Sequence, residues 1–375
     1  MKIAHLNYCP SAGVLNKIKV QAKAAQELGL DFDFIVLSHM QYQPTENVKF
    51  YKINLPQILP AKRVIRQFFS YNIISSKLDL SSYDRIILRY PSAVALSFKK
   101  FFKKYHIITE YHSDIINELK SLKVGYLNFL RIFLEKHNSP KLLPYVRGII
   151  GLTDEIRKQN LHLIDRDIPS AVISNGVEVK NTSFTQFKPF DGRILNLIFI
   201  ASTIYPWHGV DRLIYGLSRY SGDFPINLFL AGFIYEKEKK RLLENFNNPQ
   251  VKIHCLGLLP KQELDEYFSR SNLAIGSLAL FRKNMKEACP LKASEYMARG
   301  IPFVYAYNNV DLPTYNEYTL KLSNTDSPID MQKLIQFARK VSKNAGLSKK
   351  MRNFAQNHLD WKIKIQQMYD FTLTT

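Results

Sequence analysis

One stretch decides the fold: Glu287-Ala-Cys-Pro-Leu-Lys-Ala-Ser-Glu-Tyr-Met-Ala-Arg-Gly-Ile-Pro302, followed by Phe303-Val-Tyr-Ala306. The pattern predicts a helix over residues 294–299, because Gly300 can end a helix in a left-handed conformation and Pro302 cannot continue it. Residues 303–306 predict a short buried strand. A loop, a helix and a strand in this order are typical of a parallel α/β sheet.

Two glutamates flank the entry to this helix, Glu287 in the preceding loop and Glu295 in its early turns. The entry presents unpaired backbone N–H groups and the positive end of the helix dipole, which favours a phosphate. Carboxylates bind phosphate poorly, but they accept hydrogen bonds from sugar hydroxyls. A nucleotide sugar carries hydroxyls on both sides of a diphosphate, so the stretch indicates a nucleotide-sugar site. The alternative is a capped surface helix with two exposed acids.

The first half of the chain opens with a strand over residues 2–8, a loop over 10–13, a helix over 16–28 and a strand over 32–37. This order predicts a parallel βαβ unit. The loop contains a single glycine, so Gly-x-Gly-x-x-Gly is absent, and Gly-x4-Gly-Lys-Ser/Thr occurs nowhere in the chain. A dinucleotide-binding Rossmann enzyme and a P-loop NTPase are therefore disfavoured.

Polar residues follow two further strands of this half. Arg89 ends a strand that begins at Arg85, and Glu110 and His112 end the strand that begins at His106. Two-residue alternation places Glu110 and His112 on the same side of their strand. Open α/β sheets bind ligands at the carboxyl ends of their strands, so His112 is a candidate site residue. The alternative is a structural histidine at the start of a loop.

The second half repeats the alternation of strands and helices, with predicted strands over residues 194–201, 227–232, 251–257 and 273–278. The polar stretch over residues 180–192 predicts an interdomain linker. We predict an N-terminal domain over residues 1–185, a C-terminal domain over 186–354 and a terminal helical segment over 355–375.

The stretch from Glu287 to Pro302 resembles the Glu-x7-Glu signature of retaining glycosyltransferases of the GT-B fold, in particular the large family 4 group, also called group 1 glycosyltransferases. Asn175-Gly-Val177 is similar to the tripeptide that ends the N-terminal domain in that family, and residues 351–371 resemble its terminal pattern. The resemblance implies an α/β protein with two Rossmann-like domains facing across a cleft. It also implies a C-terminal helix that crosses back to the N-terminal, acceptor-side domain.

The resemblance further implies roles for individual residues. Glu287 would contact the donor sugar and Glu295 would hold the ribose diol of the nucleotide. His112 would face the donor sugar and the diphosphate from the N-terminal domain. Gly13 would approach the donor and the acceptor, and Leu258 would line the base.

The clearest departure from the family concerns the cations that hold the diphosphate. The family usually has Lys-Gly where this chain has His208-Gly209, and an arginine where this chain has Ser202. No metal-binding Asp-x-Asp arrangement is evident, so we expect no metal and no cofactor besides a UDP- or GDP-sugar donor. Lys292 is the predicted substitute, since a lysine at a helix entry adds a point charge to the helix dipole. Its predicted partners are His208, Gly209 and the backbone around Cys289, Pro290 and Leu291, assisted by Arg212 or by Lys283 and Lys286.

Composition limits the remaining possibilities. The chain has 375 residues, 46% of them hydrophobic, and a formal net charge of +20. It contains no run of 18 apolar residues, no signal-peptide pattern and only three scattered cysteines, which predicts a reduced, cytoplasmic setting. The charge indicates an anionic partner such as a membrane face, a phosphorylated substrate or nucleic acid, or else a solvated lysine-rich surface.

Two segments combine aromatic and basic residues, 58–77 and 97–105. Each is compatible with a helix in a membrane interface or with an amphipathic helix packed on the sheet, and packing is the preferred interpretation for 97–105. We therefore predict a hexosyltransferase that moves a sugar from a nucleoside-diphosphate sugar to a glycan or lipid-linked acceptor in cell-surface polysaccharide synthesis, in peripheral contact with an anionic membrane and without nucleic acid. The alternatives are a GT-B epimerase or hydrolase, a nucleic-acid-binding protein and a degenerate enzyme serving as a scaffold.

Overall fold

The computed structural model describes residues 1–39, 45, 48–54, 70–74, 76–121 and 125–375. Contacts divide the chain into two compact units. Unit 1 comprises Met1–Ser174 together with Trp361–Thr375, and unit 2 comprises Asn175–Asp360. The domain limits placed at residues 185 and 354 stay predictions about independently folding domains.

Unit 1 is built on a parallel sheet with the strand order β3-β2-β1-β4-β5-β6-β7. The strands are β1 (Ile3–Tyr8), β2 (Phe32–Ser38), β3 (Val48–Lys52), β4 (Arg85–Arg89), β5 (Ile107–Tyr111), β6 (Gly148–Gly151) and β7 (Ser170–Val172). Its helices include α1 (Ala12–Glu27), α2 (Lys99–Lys104), α3 (Ile115–Ser121), α4 (Gly125–Leu142), α5 (Asp154–Leu161) and α12 (Trp361–Leu373). The order of the central strands places the carboxyl ends of β1, β4 and β5 side by side.

Unit 2 contains a second parallel sheet, in the order β10-β9-β8-β11-β13-β15, and a two-stranded sheet of β12 and β14. Its strands are β8 (Leu195–Thr203), β9 (Ile226–Phe233), β10 (Val251–Gly257), β11 (Leu273–Ile275), β12 (Glu287–Ala288), β13 (Phe303–Tyr305), β14 (Asn308–Asn309) and β15 (Thr319–Lys321). Its helices are α6 (Val210–Ser218), α7 (Glu236–Leu243), α8 (Lys261–Arg270), α9 (Leu291–Arg299), α10 (Met331–Ser342) and α11 (Leu347–Phe354). An α/β protein with two such units is what the sequence predicts.

The terminal helix α12 belongs to the core of unit 1. Trp361, Ile365 and Met368 are buried in one apolar cluster with Ile3 of β1 and Ile18 of α1. Full burial of side chains of this size stabilises a fold by about 1.5–3 kcal/mol each. The predicted return of the C-terminal helix to the N-terminal half is therefore confirmed.

The aromatic residues of segment 97–105 face the interior of unit 1. Phe98, Phe101 and Phe102 are each at most 2% exposed, while three of the four lysines of α2 are exposed: Lys100, Lys103 and Lys104. The packed amphipathic helix, and not the interfacial one, is thus the correct interpretation of this segment. The corresponding question for 58–77 falls mainly on residues outside the described part of the chain.

Two helices begin earlier than the sequence predicts. Helix α9 starts at Leu291 and not at Ser294, because Pro290 takes the extended N-cap conformation and the next three residues form the first turn. Helix α1 starts at Ala12 and not at Asn16, because the Ser11 hydroxyl caps it by accepting a hydrogen bond from the Val14 N–H. Gly13 consequently lies in the first turn of a helix and not in a loop.

Candidate functional site

The entry of helix α9 lies at the carboxyl edge of the unit 2 sheet. Glu287, which is predicted to contact the donor sugar, lies in β12. This strand pairs with β14, so a short ladder of hydrogen bonds fixes the backbone at Glu287. Gly300 ends the helix with φ of 74°, as predicted. The first N–H groups of a helix have no intrahelical acceptor, so this entry can bind an anion.

Lys292 stands in the first turn of α9 and is 9% exposed. Its Nζ lies 3.9 Å from the centroid of the Phe199 ring, and no residue of the described chain offers it a hydrogen-bond acceptor. Burial lowers the pKa of Lys292 to about 7. A buried ammonium without a carboxylate is costly, so the group is suited to an anion that arrives from outside.

His208 lies close to the same aromatic ring, with its own ring centroid 5.4 Å from that of Phe199. The Tyr205 N–H donates to its Nδ1 at 3.1 Å. Burial, together with the charges of Lys292 and Lys283, holds the pKa of His208 well below its usual range. The structure thus brings His208 and Lys292, which are far apart in sequence, to one aromatic ring, and at neutral pH His208 supplies a hydrogen bond and not a charge.

Gly209 follows His208 and starts helix α6 in a left-handed conformation, with φ of 66°. A Cβ at this position would approach the Ala279 backbone nitrogen and the Leu278 carbonyl carbon to 2.9 Å. The Leu278 N–H donates to the His208 carbonyl at 2.9 Å. Glycine is required here on both counts, and it allows the loop to carry His208 into contact with the neighbouring strand end.

The other cations considered from the sequence differ in their availability. Each of the three guanidinium nitrogens of Arg212 donates to a backbone carbonyl, of Ser327, Leu278 and Ser323, so this side chain organises the backbone around it. Lys283 lies over the Trp207 ring at 4.8 Å, beside the His208 loop.

Glu295 is held in place by an ion pair within α9. Its Oε1 accepts from the Arg299 Nε at 2.9 Å, and Arg299 also pairs with Asp265 of α8 at 2.5 Å. The Glu295 side chain remains 29% exposed, whereas that of Arg299 is 3% exposed. The second carboxylate oxygen can therefore accept from a ligand while the buried guanidinium fixes the direction of the first.

Three of the remaining predicted residues of unit 2 lie at the start of α9, and one follows the edge strand β10. Cys289 is buried, and its carbonyl accepts from the Asn175 amide at 3.0 Å. Pro290 is the N-cap of α9, and Leu291 is an exposed residue of its first turn. Leu258 follows β10 at the far side of the sheet and is 68% exposed, as a base-contacting residue needs to be.

In unit 1, His112 is joined to a buried carboxylate. Its Nε2 lies 2.9 Å from Oε2 of Glu110, and the His5 Nε2 lies 2.9 Å from the same oxygen. Burial and the charge of Arg89 lower the pKa of His112 to about 3. Burial alone would raise the pKa of Glu110, but the two imidazoles hold it well below its usual range. His112 is therefore a neutral imidazole whose orientation is set by an ionised carboxylate.

Gly13 is near the carboxyl end of β1, the strand that contributes His5. No atom of the described residues lies within 4 Å of the position that a Cβ would take on Gly13, at the first turn of α1. The structure thus places Gly13 and His112 at the carboxyl edge of the unit 1 sheet and brings Lys292 and His208 together on Phe199. Glu287 and Glu295 lie on the same stretch of chain as Lys292.

Three supporting residues escaped the sequence analysis: Phe199, Arg299 and His5. Phe199 and Arg299 follow patterns of ordinary buried strand and helix positions, and only tertiary packing gives them a role. Glu110 had been noted for sharing a side with His112, which was the one signal of this pairing in the sequence.

The fold was compared with known proteins. No family model and no curated protein matches the sequence. Among solved structures, a sucrose-phosphate synthase from Thermosynechococcus elongatus matches with a TM-score of 0.69 at 14% identity, over 100% of this chain and 98% of that one. HepE of Anabaena in complex with UDP matches with a TM-score of 0.65 at 14% identity over 100% of both chains.

A third match is the lipopolysaccharide outer core galactosyltransferase WaaB, with a TM-score of 0.64 at 12% identity over 100% of this chain and 99% of that one. All three are similar to this chain over practically their whole length. The chain has the GT-B fold. At identities this low, the structural similarity establishes the fold alone. The activity has to be argued from the residues of the site.

Proposed function

We propose that this protein is a retaining glycosyltransferase that moves a hexose from a nucleoside-diphosphate sugar to a hydroxyl of a glycan or lipid-linked acceptor. The observation that carries the proposal is the buried, unpartnered Lys292 at the entry of α9, flanked in sequence by Glu287 and Glu295. HepE, which shares the fold, is known in complexes with UDP and with UDP-glucose, and this supports a UDP-sugar as the donor.

The chemistry requires positive charge at the leaving group. The bond between the anomeric carbon and the phosphate oxygen breaks, and the bond to the acceptor oxygen forms. The departing diphosphate takes up the negative charge and receives the acceptor's proton. Lys292, the α9 N–H groups and the neutral His208 would stabilise that charge. Glu287 would bind sugar hydroxyls beside the cationic anomeric carbon, and Glu295 the ribose diol.

His112 would contribute a hydrogen bond to the donor sugar or its phosphate and no charge. Its low pKa, about 3, keeps the imidazole neutral throughout the physiological range. Glu110 would fix the ring so that one nitrogen faces the substrate. Proton transfer to the leaving phosphate needs no side chain of the protein as a base, which agrees with reaction on the face from which the diphosphate departs.

The proposal is tested by incubating the purified protein with UDP-glucose, UDP-galactose, UDP-N-acetylglucosamine and GDP-mannose and measuring release of the nucleoside diphosphate. We expect one donor to be turned over, with or without EDTA. Lys292→Met and Glu287→Gln should lower the rate at least about 100-fold, since each removes a group that interacts with developing charge. The control is Lys349→Met, which removes an exposed lysine of α11.

The products separate the proposed reaction from its alternatives. Proton NMR of the product should show the anomeric configuration of the donor, which identifies retention. Release of free sugar or of an epimer as the sole product, whatever acceptor is added, would identify a hydrolase or an epimerase instead. A scaffold would show binding without turnover, and turnover that is unchanged in Glu287→Gln would contradict the proposed site.

We also propose that the acceptor is met at an anionic membrane. Helix α4 exposes Phe129, Leu130 and Phe133, and Lys136 and Lys141 are exposed further along it. Apolar side chains next to lysines suit the headgroup region of an anionic bilayer, and the net charge of +20 adds attraction. No helix in the described part of the chain is long and apolar enough to cross a membrane.

Sedimentation with phosphatidylglycerol vesicles tests this contact. We expect binding at low salt that weakens with added salt and is reduced in the double variant Phe129→Ser, Phe133→Ser. Tyr315→Ser, which removes an almost fully exposed aromatic of unit 2, should bind like the unmodified protein. A protein that stays in solution at low salt would show the membrane proposal to be wrong.

A further inference from the structure

Unit 1 contains a cavity of about 360 Å³ between α3, α4 and α5. Its size falls in the range of small-ligand pockets, about 300–1,000 Å³. Five of the side chains that line it carry amide or carboxylate groups: Asp114, Asn117, Glu135, Gln159 and Asn160. These are the side chains that form paired hydrogen bonds with neighbouring hydroxyls.

One buried acceptor in the cavity wall has no hydrogen-bond partner among the described residues, and a second has lost its intrahelical donor. The Oε1 of Gln159 is buried and has no hydrogen-bond partner among the described residues. Pro140 lies inside α4 and has no N–H, so the Lys136 carbonyl loses its intrahelical donor. A buried acceptor without a donor costs about 1–3 kcal/mol, so a ligand that brings donors would be stabilised here.

The wall behind these acceptors is fixed by hydrogen bonds. Glu135 accepts from the Ala93 N–H at 2.7 Å and from the Ser139 hydroxyl at 2.6 Å. The Tyr90 and Ser139 hydroxyls are 2.8 Å apart. Burial raises the pKa of Glu135. This network holds α4 in one position, so the cavity is formed before any ligand enters.

One end of the cavity lies close to the candidate site in sequence. Asp114 follows His112 by two residues, and its carboxylate accepts from the backbone and the side-chain amide of Asn117 at 2.9 and 2.6 Å. The start of α3 thus connects the strand end that carries His112 with the cavity wall. A ligand in the cavity would contact the residues that directly follow His112.

We propose that this cavity binds one monosaccharide unit of the acceptor through its hydroxyl groups. The identification of this sugar as part of the acceptor rests on the proposed glycosyltransferase function. The binding of a sugar to the cavity can be tested on its own. The sugar hydroxyls donate to the Gln159 Oε1, which has no partner among the described residues, and to the Lys136 carbonyl, whose intrahelical donor Pro140 removes. Carboxylates of Asp114 and Glu135 disfavour phosphate, and unpaired acceptors disfavour an apolar ligand.

Saturation-transfer-difference NMR with methyl α-glycosides of glucose, galactose and mannose, at millimolar concentrations, tests the binding. We expect at least one glycoside to bind. Gln159→Leu, which keeps the size and removes the acceptor, should weaken its binding about tenfold. Gln26→Leu, on the exposed face of α1, is the matched control and should bind as the unmodified protein does.

A second variant tests the cavity without removing a polar group from α5. Leu163 lines the cavity and is 42% exposed, so Leu163→Trp should fold and narrow the space. We expect it to abolish glycoside binding. Binding that persists in both variants, or absence of any glycoside binding to the unmodified protein, would overturn the proposal. Displacement of the glycoside by inorganic phosphate or putrescine at equal concentration would also overturn it.

Donor hydrolysis separates this inference from the proposed function. Release of UDP from the donor without acceptor should be the same in Gln159→Leu as in the unmodified protein, while the KM for the acceptor rises. If no donor is turned over but glycosides bind and Gln159→Leu weakens them, the proposed function fails and the cavity assignment stands. If the donor is turned over and no glycoside binds, the cavity assignment fails alone.

Discussion

At the scale of single residues, the decisive feature is a lysine whose charge has no partner in its own protein. Lys292 is buried against the Phe199 ring beside the neutral His208. The resemblance described above implies a pair of diphosphate-binding cations that this sequence lacks. Under the proposed function, the buried amine of Lys292 would replace them, and a bound diphosphate would favour its protonation. The affinity for a diphosphate would then depend on pH.

Affinity for UDP should fall as the pH rises above about 7. The pKa of Lys292 is lowered to about 7 in the free protein, and a bound diphosphate would raise it. Above the pKa of the free protein, binding requires uptake of a proton, so the Kd increases up to tenfold per pH unit. Isothermal titration between pH 6 and pH 9 measures this. Lys292→Met should bind UDP weakly, with a Kd that does not vary over that range.

The same lysine should make stability depend on pH. Its pKa is near 10.5 in the unfolded chain and about 7 in the fold. The unfolded state thus binds one more proton between these values, and the free energy of unfolding rises with pH by up to about 1.4 kcal/mol per unit across that window. The destabilisation is fully present below pH 7. Denaturant unfolding of the protein and of Lys292→Met should differ in slope between pH 7 and pH 10, and equal slopes would contradict the assignment.

Glu295 should discriminate nucleotides by their ribose. Its free oxygen is directed by the buried Arg299, so it is positioned to accept from a diol. We expect UDP to bind about tenfold more tightly than its 2′,3′-dideoxy analogue, and Glu295→Ala to remove the difference. Glu263→Ala, in the first turn of α8, is the control. Equal discrimination in Glu295→Ala would place the ribose elsewhere.

At the scale of elements, local patterns predicted the order and type of strands and helices well. The buried strands are continuous apolar runs, and the Thr153 hydroxyl caps α5 by accepting from the Ile156 N–H. Helix starts were less predictable: α9 begins at a proline cap, and α1 continues through Gly13. Both starts depend on backbone conformations that several residue types allow, so the pattern alone could not fix them.

Two glycines with the same backbone conformation provide a test of the His208 loop. Gly209 and Gly257 have φ of 66° and 68°. Of the two, only a Cβ on Gly209 would come within 2.9 Å of backbone atoms of other residues. Gly257→Ala should cost about 1–2 kcal/mol, the cost of a left-handed alanine. Gly209→Ala should cost clearly more and should also weaken UDP binding, because Leu278 and Ala279 must move. Chemical denaturation of both variants measures the difference, and equal losses would mean that the loop adapts freely.

At the scale of the whole molecule, the sequence indicated two α/β halves and the return of the last helix. It could not show which distant residues meet. His5 and Glu110 are 105 residues apart and form one buried pair, and Phe199 meets both His208 and Lys292. Such contacts follow from strand order and packing, and the hydrophobic periodicity of the local sequence does not encode either. The sequence therefore yielded a set of candidate ligands, and only the structure shows which residues support them.

Removal of residues 361–375 should destabilise unit 1 and leave unit 2 folded. Trp361, Ile365 and Met368 fill the cluster that contains Ile3 and Ile18. Hydrogen exchange should show lost protection in β1 and β2 and retained protection in β8 and β9. As a milder change, Met368→Ala should cost about 2–5 kcal/mol. Lys362→Ala, which removes an exposed pair with Glu27, should cost less than about 1 kcal/mol.

The division of unit 1 into two stretches of sequence has a consequence for biosynthesis. All of Asn175–Asp360 emerges from the ribosome before the last piece of the first core exists. Unit 1 therefore cannot complete its apolar cluster until the final helix has been translated, and the cluster stays exposed to solvent until then. We expect chaperones to bind unit 1 on the nascent chain during this interval.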